Sequence, residues 1–358
     1  MGSELPLLEI SGKPRERGRA HGERFRQEIG TLLPAYFDYL ERMSPEGVER
    51  FTKSRALEIT RTYLGPAEAY SSDLLNEVRG IAEGANASFE EVLALNAFLD
   101  LCDYLSPTFM EVGCTTFMVP GTTDGIGATI GQSYDLPAFF APAAVLLQVT
   151  GTGETDALVF TIAGTLGCAG LNSAGVGVVI NNLVPADAGA GVSYPFVIRK
   201  ILSSERIGDA IDAVVAKRRA SGMNYVLCDR HGDLFDLETS AAEYEVLCPF
   251  DAPMAHANHY LTERLKRLER RDWSQHGNSI MRWARATRLL RASERPDAET
   301  MKRALADHVD NPLSICRHDE VQDGEGCGQT ICGMVLEPSE GRAWIARGPC
   351  CENDWAEY

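Results

Sequence analysis

The run Glu111-Val-Gly-Cys-Thr-Thr-Phe-Met-Val-Pro120 sets a cysteine between a glycine and two threonines, at the head of an apolar stretch with strand character. Gly113 has no side chain to block approach to the peptide carbonyl before Cys114, and Thr115 and Thr116 place hydroxyls beside it. Scission of the Gly113–Cys114 bond would give Cys114 a free α-amine as well as a thiol. With reference pKa values of about 7.7–8.0 for the amine and about 8.5 for the thiol, the amine can act as general base near neutrality without a histidine. The thiol can make the cut itself, by an N→S acyl shift onto the Gly113 carbonyl. The bland alternative is a buried cysteine, a common fate for a free thiol.

Other chemistry competes for the same residues. A Cys–His protease would keep Cys114 internal and use His256 or His259 as its partner. A zinc site could draw on His256, His259 and His318 with Cys327, Cys332, Cys350 and Cys351. Their spacings match no familiar finger, and adjacent Cys350 and Cys351 present two ligands to one ion poorly, so no metal is expected. The glycines of GTLGCAGLNSAGVG lack a clean G-x-G-x-x-G opening a helix. They read better as close backbone packing beneath the nucleophile than as a dinucleotide loop.

The elements that must position these residues change character near Cys114. Before it the chain reads as helices: residues 16–39 with a kink at Pro34, then 45–63, 67–82, and 88–101 with Ser88 as N-cap ahead of Glu90 and Glu91. After it come TTFMVP, GATIGQSYDL, AAVLLQVTG, DALVFTIAG and GVGVVINNL, apolar β-branched runs cut by glycine turns, as in an antiparallel sheet. Helices are expected at 195–203 and 207–217. The strands MNYVLCD, DLFDLET and AEYEVLC follow, the first two joined by a hairpin at Asp229–Gly232. A charged helical block at 259–305 and the strands TICGMVLEP and GRAWIARG close the chain. The class is α+β, with helical layers covering packed sheets.

Composition narrows the partners. The chain has 358 residues, 44% of them hydrophobic, enough for a large core. With 34 basic and 51 acidic residues, its net charge of −17 disfavours nucleic acid and anionic membranes. The ten cysteines are dispersed, with no C-x-x-C pair. MGSELPLLEI lacks the basic and long apolar regions of a secretion signal, and Pro6 breaks a myristoylation pattern. No apolar run reaches membrane-spanning length. A cytoplasmic protein with reduced thiols is expected, which makes the sequon Asn86-Ala87-Ser88 a chance match.

GCTTF, the downstream GQSYD, NSAGVGVVINN and NHY occur in order in this chain. Together they resemble the acyl-coenzyme A:isopenicillin N acyltransferase family, N-terminal-nucleophile (Ntn) hydrolases also classed as C45 autoproteolytic peptidases. GKPRERGRAHGERFR, EVRGIAEGANASFEEVLALN, PLSICRH and the closing strand pair extend the likeness over most of the chain.

The resemblance implies an αββα four-layer sandwich in a single domain, cut at Gly113–Cys114. Residues 1–113 would stay bound as a mainly helical α-chain, and 114–358 would form the β-chain headed by the nucleophile Cys114. Thr116 matches a hydroxyl implicated in self-cleavage, and Asp135 a carboxylate beside the freed amine, reached by a hairpin three residues longer than the pattern. Asn258 matches an amide donor to the oxyanion, and Asn182 the residue whose backbone N–H supplies the second donor. Arg317 and Tyr134 fall at substrate-binding positions. One position departs: Asn96-Ala-Phe-Leu-Asp100 carries Phe98 where relatives have arginine, which counts against a penicillin substrate.

The expected activity is amide hydrolysis through an acyl-thioester, with no cofactor. Transfer of the acyl group to an amine is the alternative, and a non-enzymatic autoprocessed scaffold the further one. The expected partners are a small-molecule amide and the chain's own two fragments.

Overall fold

The glycine-cut β-branched runs pair into two sheets that face one another. The computed structural model describes residues 4–44, 50–105, 113–122, 127–151, 155–250, 252–272, 274, 276–322, 325–326 and 328–358. The first strand, β1 (Leu7–Ser11), is followed by α1 (Pro14–Arg24), α2 (Arg26–Arg42), α3 (Lys53–Tyr70), α4 (Ser72–Ala85), α5 (Phe89–Leu95) and α6 (Phe98–Leu105). Then come β2 (Cys114–Val119), β3 (Thr129–Leu136), β4 (Ala144–Thr150), β5 (Ala157–Ile162), β6 (Ala169–Asn172) and β7 (Gly177–Leu183). Helices α7 (Tyr194–Ile201) and α8 (Ile207–Val215) precede β8 (Gly222–Cys228), β9 (Leu234–Thr239), β10 (Tyr244–Leu247) and β11 (Met254–His256). The last part holds α9 (Glu263–Lys266), α10 (Gly277–Arg291), α11 (Ala298–Leu305), the short β12 (Val321–Gln322) and β13 (Glu325–Gly326), β14 (Gln329–Glu337), β15 (Arg342–Arg347) and β16 (Ala356–Glu357).

One sheet has eight strands in the order β1-β4-β5-β6-β7-β8-β9-β10, and the other six in the order β11-β2-β3-β14-β15-β16. Pairing is antiparallel throughout both, except that β1 lies parallel to β4. Polar bonds cross between the sheets: Gln132 on β3 accepts the Ile180 N–H of β7 at 2.7 Å. Helices α10 and α11 cover the six-stranded sheet, while α7, α8 and the N-terminal helices lie beyond the eight-stranded one. The architecture is the αββα sandwich.

The N-terminal layer depends on missing side chains. Gly18 and Gly22 of α1 meet Gly80 and Gly84 of α4, and a Cβ at any of the four would overlap a partner backbone carbonyl oxygen, that of Glu77, Ile81, Arg15 or Arg19 respectively. The backbones therefore touch along two G-x-x-x-G stripes. Beside them Glu77, fully buried, binds Arg17 from α1 and Arg199 from α7 at 3.0 and 2.7 Å.

Several boundaries differ from expectation, each for a local reason. The segment 16–39 breaks at Phe25 rather than at Pro34, and α2 runs through the proline. The expected 45–63 helix begins instead at Lys53, where the Thr52 hydroxyl accepts the Arg55 N–H, and passes Pro66 to Tyr70; residues 45–49 lie outside the described residues. Ser71 then caps α4, later than the expected start at 67. The 88–101 helix keeps its Ser88 cap but divides at Asn96, whose amide bonds Val92, Gly164 and Leu166. The glycines of GTLGCAGLNSAGVG do pack closely: Gly164 against Leu95 and Ile29, Gly167 against Val159 and Arg199, Gly170 against the Leu158 carbonyl, and Gly175 against Arg230.

Candidate active site

Cys114 opens β2, an interior strand held between β11 and β3, and is 2% exposed. Its register partner is Tyr134, so the two side chains share a face. The Tyr134 hydroxyl lies 3.1 Å from that of Tyr194, and its ring meets Phe160 edge-on.

The backbone at Cys114 is enclosed by side chains. Its N–H donates to Asn258 Oδ1 at 3.0 Å. Its carbonyl accepts from Asn181 Nδ2 at 2.9 Å and from Arg282 Nη1 at 2.8 Å. Arg282 Nη2 also donates to Asn258 Oδ1 at 2.8 Å, so two donors fix the orientation of that amide. The Asn258 Nδ2 donates to the Asn182 carbonyl at 3.0 Å. The second N–H on that nitrogen is the one available to a developing oxyanion.

On the other side of the Gly113–Cys114 peptide lies Arg317. A Cβ at position 113 would overlap its guanidinium, which explains the glycine. Arg317 Nη2 donates to Asn278 Oδ1 at 2.7 Å, and its Nε is 3.5 Å from Asp135 Oδ2. Asp135 Oδ1 accepts from Thr330 at 2.7 Å, and Thr330 in turn accepts the Arg317 backbone N–H. Cys114, Asp135, Asn258 and Arg317 thus come together with Gly113.

Two further expected residues point their side chains elsewhere. The Thr116 hydroxyl donates to Asn181 Oδ1 at 2.8 Å, facing the opposite sheet. The Asn182 side chain donates to Asp103 at 2.9 Å, and its carbonyl is the group that meets Asn258. Phe98, at the position that departs from the family pattern, is buried among Tyr36, Phe140 and Tyr194.

Burial dominates the electrostatics. It pushes the Cys114 thiol up to about 12, with Asp135 adding to the rise and a backbone hydrogen bond, Arg282 and Arg317 opposing it. It also lifts Asp135 to about 6 against Arg317, Thr330 and Arg282. Arg282 drops to about 9, through burial first and Arg317 second. An isolated buried cation is unfavourable, so two arginines at one thiol favour negative charge there.

The histidines proposed as rivals are engaged. His256 bonds Glu238 at 2.7 Å and the Ala257 carbonyl at 2.8 Å, while His259 Nδ1 meets Ser279 Oγ at 2.7 Å. Burial lowers His259 to about 3. Cys332 and Cys350 are buried, and Cys327 lies outside the described residues.

Arg282 and Asn181 are the residues that sequence reasoning missed. In α10 the buried positions are Ser279, Arg282, Ala286 and Leu290. An arginine on the apolar stripe of a charged helix was the available signal. Asn181 stood beside Asn182 in the same doublet, and strand alternation sends the two side chains to opposite faces.

The model of the acyl-coenzyme A:6-aminopenicillanic acid acyl-transferase family matches residues 129–349. The acyl-coenzyme A:6-aminopenicillanic-acid-acyltransferase 40 kDa form of Emericella nidulans is 24% identical over 346 residues, covering 94% of this chain and 91% of that protein. Among solved structures, a Caenorhabditis elegans N-acylethanolamine-hydrolyzing acid amidase ortholog is similar at 15% identity and a TM-score of 0.43, covering 63% of this chain and 93% of that one. A conjugated bile acid hydrolase from Clostridium perfringens gives 12% identity and a TM-score of 0.43 over 68% of this chain and 96% of that one. Penicillin V acylase from Agrobacterium tumefaciens gives 12% identity and a TM-score of 0.39 over 65% and 82%. With 129–349 matched and the Cys114 cluster assembled on an αββα sandwich, this chain belongs to the acyl-coenzyme A:6-aminopenicillanic acid acyl-transferase family and is an enzyme acting on amide bonds.

Proposed function

We propose that the chain cuts itself between Gly113 and Cys114 and then works as an N-terminal-cysteine amidohydrolase, with residues 1–113 and 114–358 as two chains of one domain. One observation carries the reading: the peptide ahead of Cys114 is gripped from both sides, by Asn258 on the Cys114 N–H and by Arg317 against Gly113.

In the first reaction Cys114 Sγ adds to the Gly113 carbonyl carbon. The C–N bond breaks, the nitrogen gains the thiol's proton, and a thioester joins Gly113 to Sγ. Water hydrolyses it to a Gly113 carboxylate, a thiol and an α-amine. Arg317, beside Gly113, serves the developing oxyanion, and Asn258 Oδ1 keeps hold of the nitrogen after the cut. Thr116 assists from the Asn181 network.

In turnover the amine accepts the thiol's proton and the thiolate adds to a substrate amide. The remaining Asn258 Nδ2 hydrogen and the Asn182 backbone N–H meet the oxyanion. The leaving amine takes a proton from the α-ammonium, and water releases the acyl group from its thioester. Asp135 orients the ammonium, whose charge brings that carboxyl back toward its ordinary pKa. Arg317 and Tyr134 bound the substrate, which is a small amide, an amino-acid conjugate or a peptide. Acyl transfer to an amine is the second reading. The Emericella nidulans relative, an acyltransferase by name and 91% covered, favours it.

The test is intact mass under denaturing, reducing conditions for wild type and Cys114→Ala. Two wild-type fragments meeting at Gly113/Cys114, with an uncut variant, are expected. An uncut wild type that still turns over amides would sink the reading. Product analysis with and without an added amine then separates hydrolysis from transfer, and a processed chain inert to an amide panel returns the scaffold alternative.

A further inference from the structure

The loop that carries Arg317 holds a second group of reactive side chains. His308, Cys316 and His318 lie between α11 and β12, and Cys351 lies in the turn between β15 and β16. Their ligand atoms all fall within 4.8 Å of one another. The spacing hid this set: seven residues separate His308 from Cys316, and the fourth member is brought in by the closing strands. A backbone bond from the Cys316 N–H to the Asp307 carbonyl, at 3.0 Å, folds the loop so that Cys316 returns beside His308.

The distances have the shape of a coordination sphere. Cys316 Sγ and Cys351 Sγ are 3.7 Å apart, His308 Nε2 and His318 Nε2 are 3.1 Å apart, and Cys351 Sγ is 3.3 Å from His318 Nε2. A tetrahedral zinc with Zn–S of about 2.3 Å and Zn–N of about 2.05 Å has edges of about 3.8 Å (S–S), about 3.3 Å (N–N) and about 3.6 Å (S–N). These three of the six edges agree to within about 0.3 Å, and the other three are bounded at 4.8 Å. A disulfide, by contrast, needs sulfurs about 2.05 Å apart.

Proton bookkeeping points the same way. His318 Nδ1 is 3.3 Å from Glu352 Oε1. With its proton on Nδ1, toward that carboxylate, the ring keeps one lone pair on Nε2, on which both His308 Nε2 and Cys351 Sγ converge. A cation at the centre receives all the lone pairs at once. A carboxylate behind a ligating imidazole is the usual supporting partner in zinc sites. His308 and Cys351 are exposed and Cys316 is buried, so an ion can enter from solvent and anchor the loop inward.

We propose that His308, Cys316, His318 and Cys351 bind one zinc ion, and that the ion pins the Arg317 loop to the C-terminal segment. Two thiolates and two imidazoles closing a tetrahedron form a structural site, with no open position for catalysis. Cys316 and His318 flank Arg317, so fixing both fixes the backbone from which its guanidinium reaches Gly113 and Asp135.

The experiment uses the full chain in reductant, in wild type and in Cys114→Ala, so that metal binding is read whether or not the chain processes itself. Native mass spectrometry and elemental analysis after incubation with zinc alone should give one ion per chain. Cobalt in its place should give the intense visible bands of a tetrahedral sulfur–nitrogen site. Cys351→Ser and His308→Ala, both exposed positions, should each weaken zinc at least tenfold against a chromophoric chelator, while Cys248→Ser should not. No uptake, equal uptake by both ligand variants, or a Cys316–Cys351 disulfide in protein prepared under reductant would each overturn the proposal.

Discussion

Two clusters in this molecule bury a carboxylate with two arginines, and they are built to opposite ends. In the helical layer Glu77 takes Arg17 on one side and Arg199 on the other, at 3.0 and 2.7 Å, and the charges meet in direct contact. Burial pushes Glu77 up, yet Arg199 and Arg17 more than offset it and hold the carboxyl below its ordinary range. Between the sheets, Asp135 sits 3.5 Å from Arg317, while Arg282 turns to the Cys114 carbonyl, Thr115 and Asn258. There burial wins: Asp135 rises to about 6 and Arg282 falls to about 9. Asp135 Oδ2 makes no hydrogen bond among the described residues. A buried ion group closed on itself holds helices together. One left short of negative charge beside a thiol has room for a thiolate or an oxyanion.

Removing each carboxylate's charge should separate the two clusters by the widest margin. Glu77→Gln leaves two buried arginines against a neutral amide and should destabilise the chain by about 3–5 kcal/mol, read by urea unfolding in the Cys114→Ala background, where one chain unfolds as a unit. Asp135→Asn should leave stability unchanged or raised, and slow processing and turnover about a hundredfold or more. Equal effects of the two on stability would erase the distinction.

Glycine substitutions should give smaller effects of opposite sign. Gly80→Ala drives a methyl group into the Arg15 carbonyl across the α1–α4 contact and should cost about 1–3 kcal/mol. Gly30→Ala in α2, with nothing within 4 Å of its new Cβ, should stabilise by about 0.5–1 kcal/mol.

The finest test is the sign of the pH dependence. Asp135 folds with its pKa raised from about 3.9 to about 6, so the folded state binds the extra proton. Wild type should therefore lose stability relative to Asp135→Asn as pH rises through that window. Glu77 has a depressed folded pKa, so its contribution is present above about 4.3 and lost as pH falls below it. Slopes of the same sign in the two difference curves would contradict the electrostatic account.

Much of this organisation was legible in the residues. Alternation and glycine turns gave the strands, and Ser88 marked a helix start that the structure keeps. Cys114, Gly113, Asp135, Asn258 and Arg317 meet at one place although they come from distant segments. Arg282 stayed hidden because an arginine in a helix with many charges resembles a solvated face until burial is known. The α1–α4 contact was equally opaque: glycine in a helix reads as a weakness, and only the partner stripe shows that the two absences fit together. The four groups around Cys316 share no local spacing, because tertiary folding alone places Cys351 next to that loop.

One feature of the eight-stranded sheet bears on the life history of the molecule. Its edge strand β1 comes from the N-terminal segment and lies parallel to β4, with six helices and two strands between them in sequence. While the chain is continuous, β1 finds β4 as a unimolecular event. The proposed cut at Gly113 would turn the same pairing into association between two molecules, with success that depends on concentration. An enzyme so cut would assemble once, as a single thread, and afterwards persist by the slowness of its dissociation; dilution after denaturation would return two fragments that must search for one another.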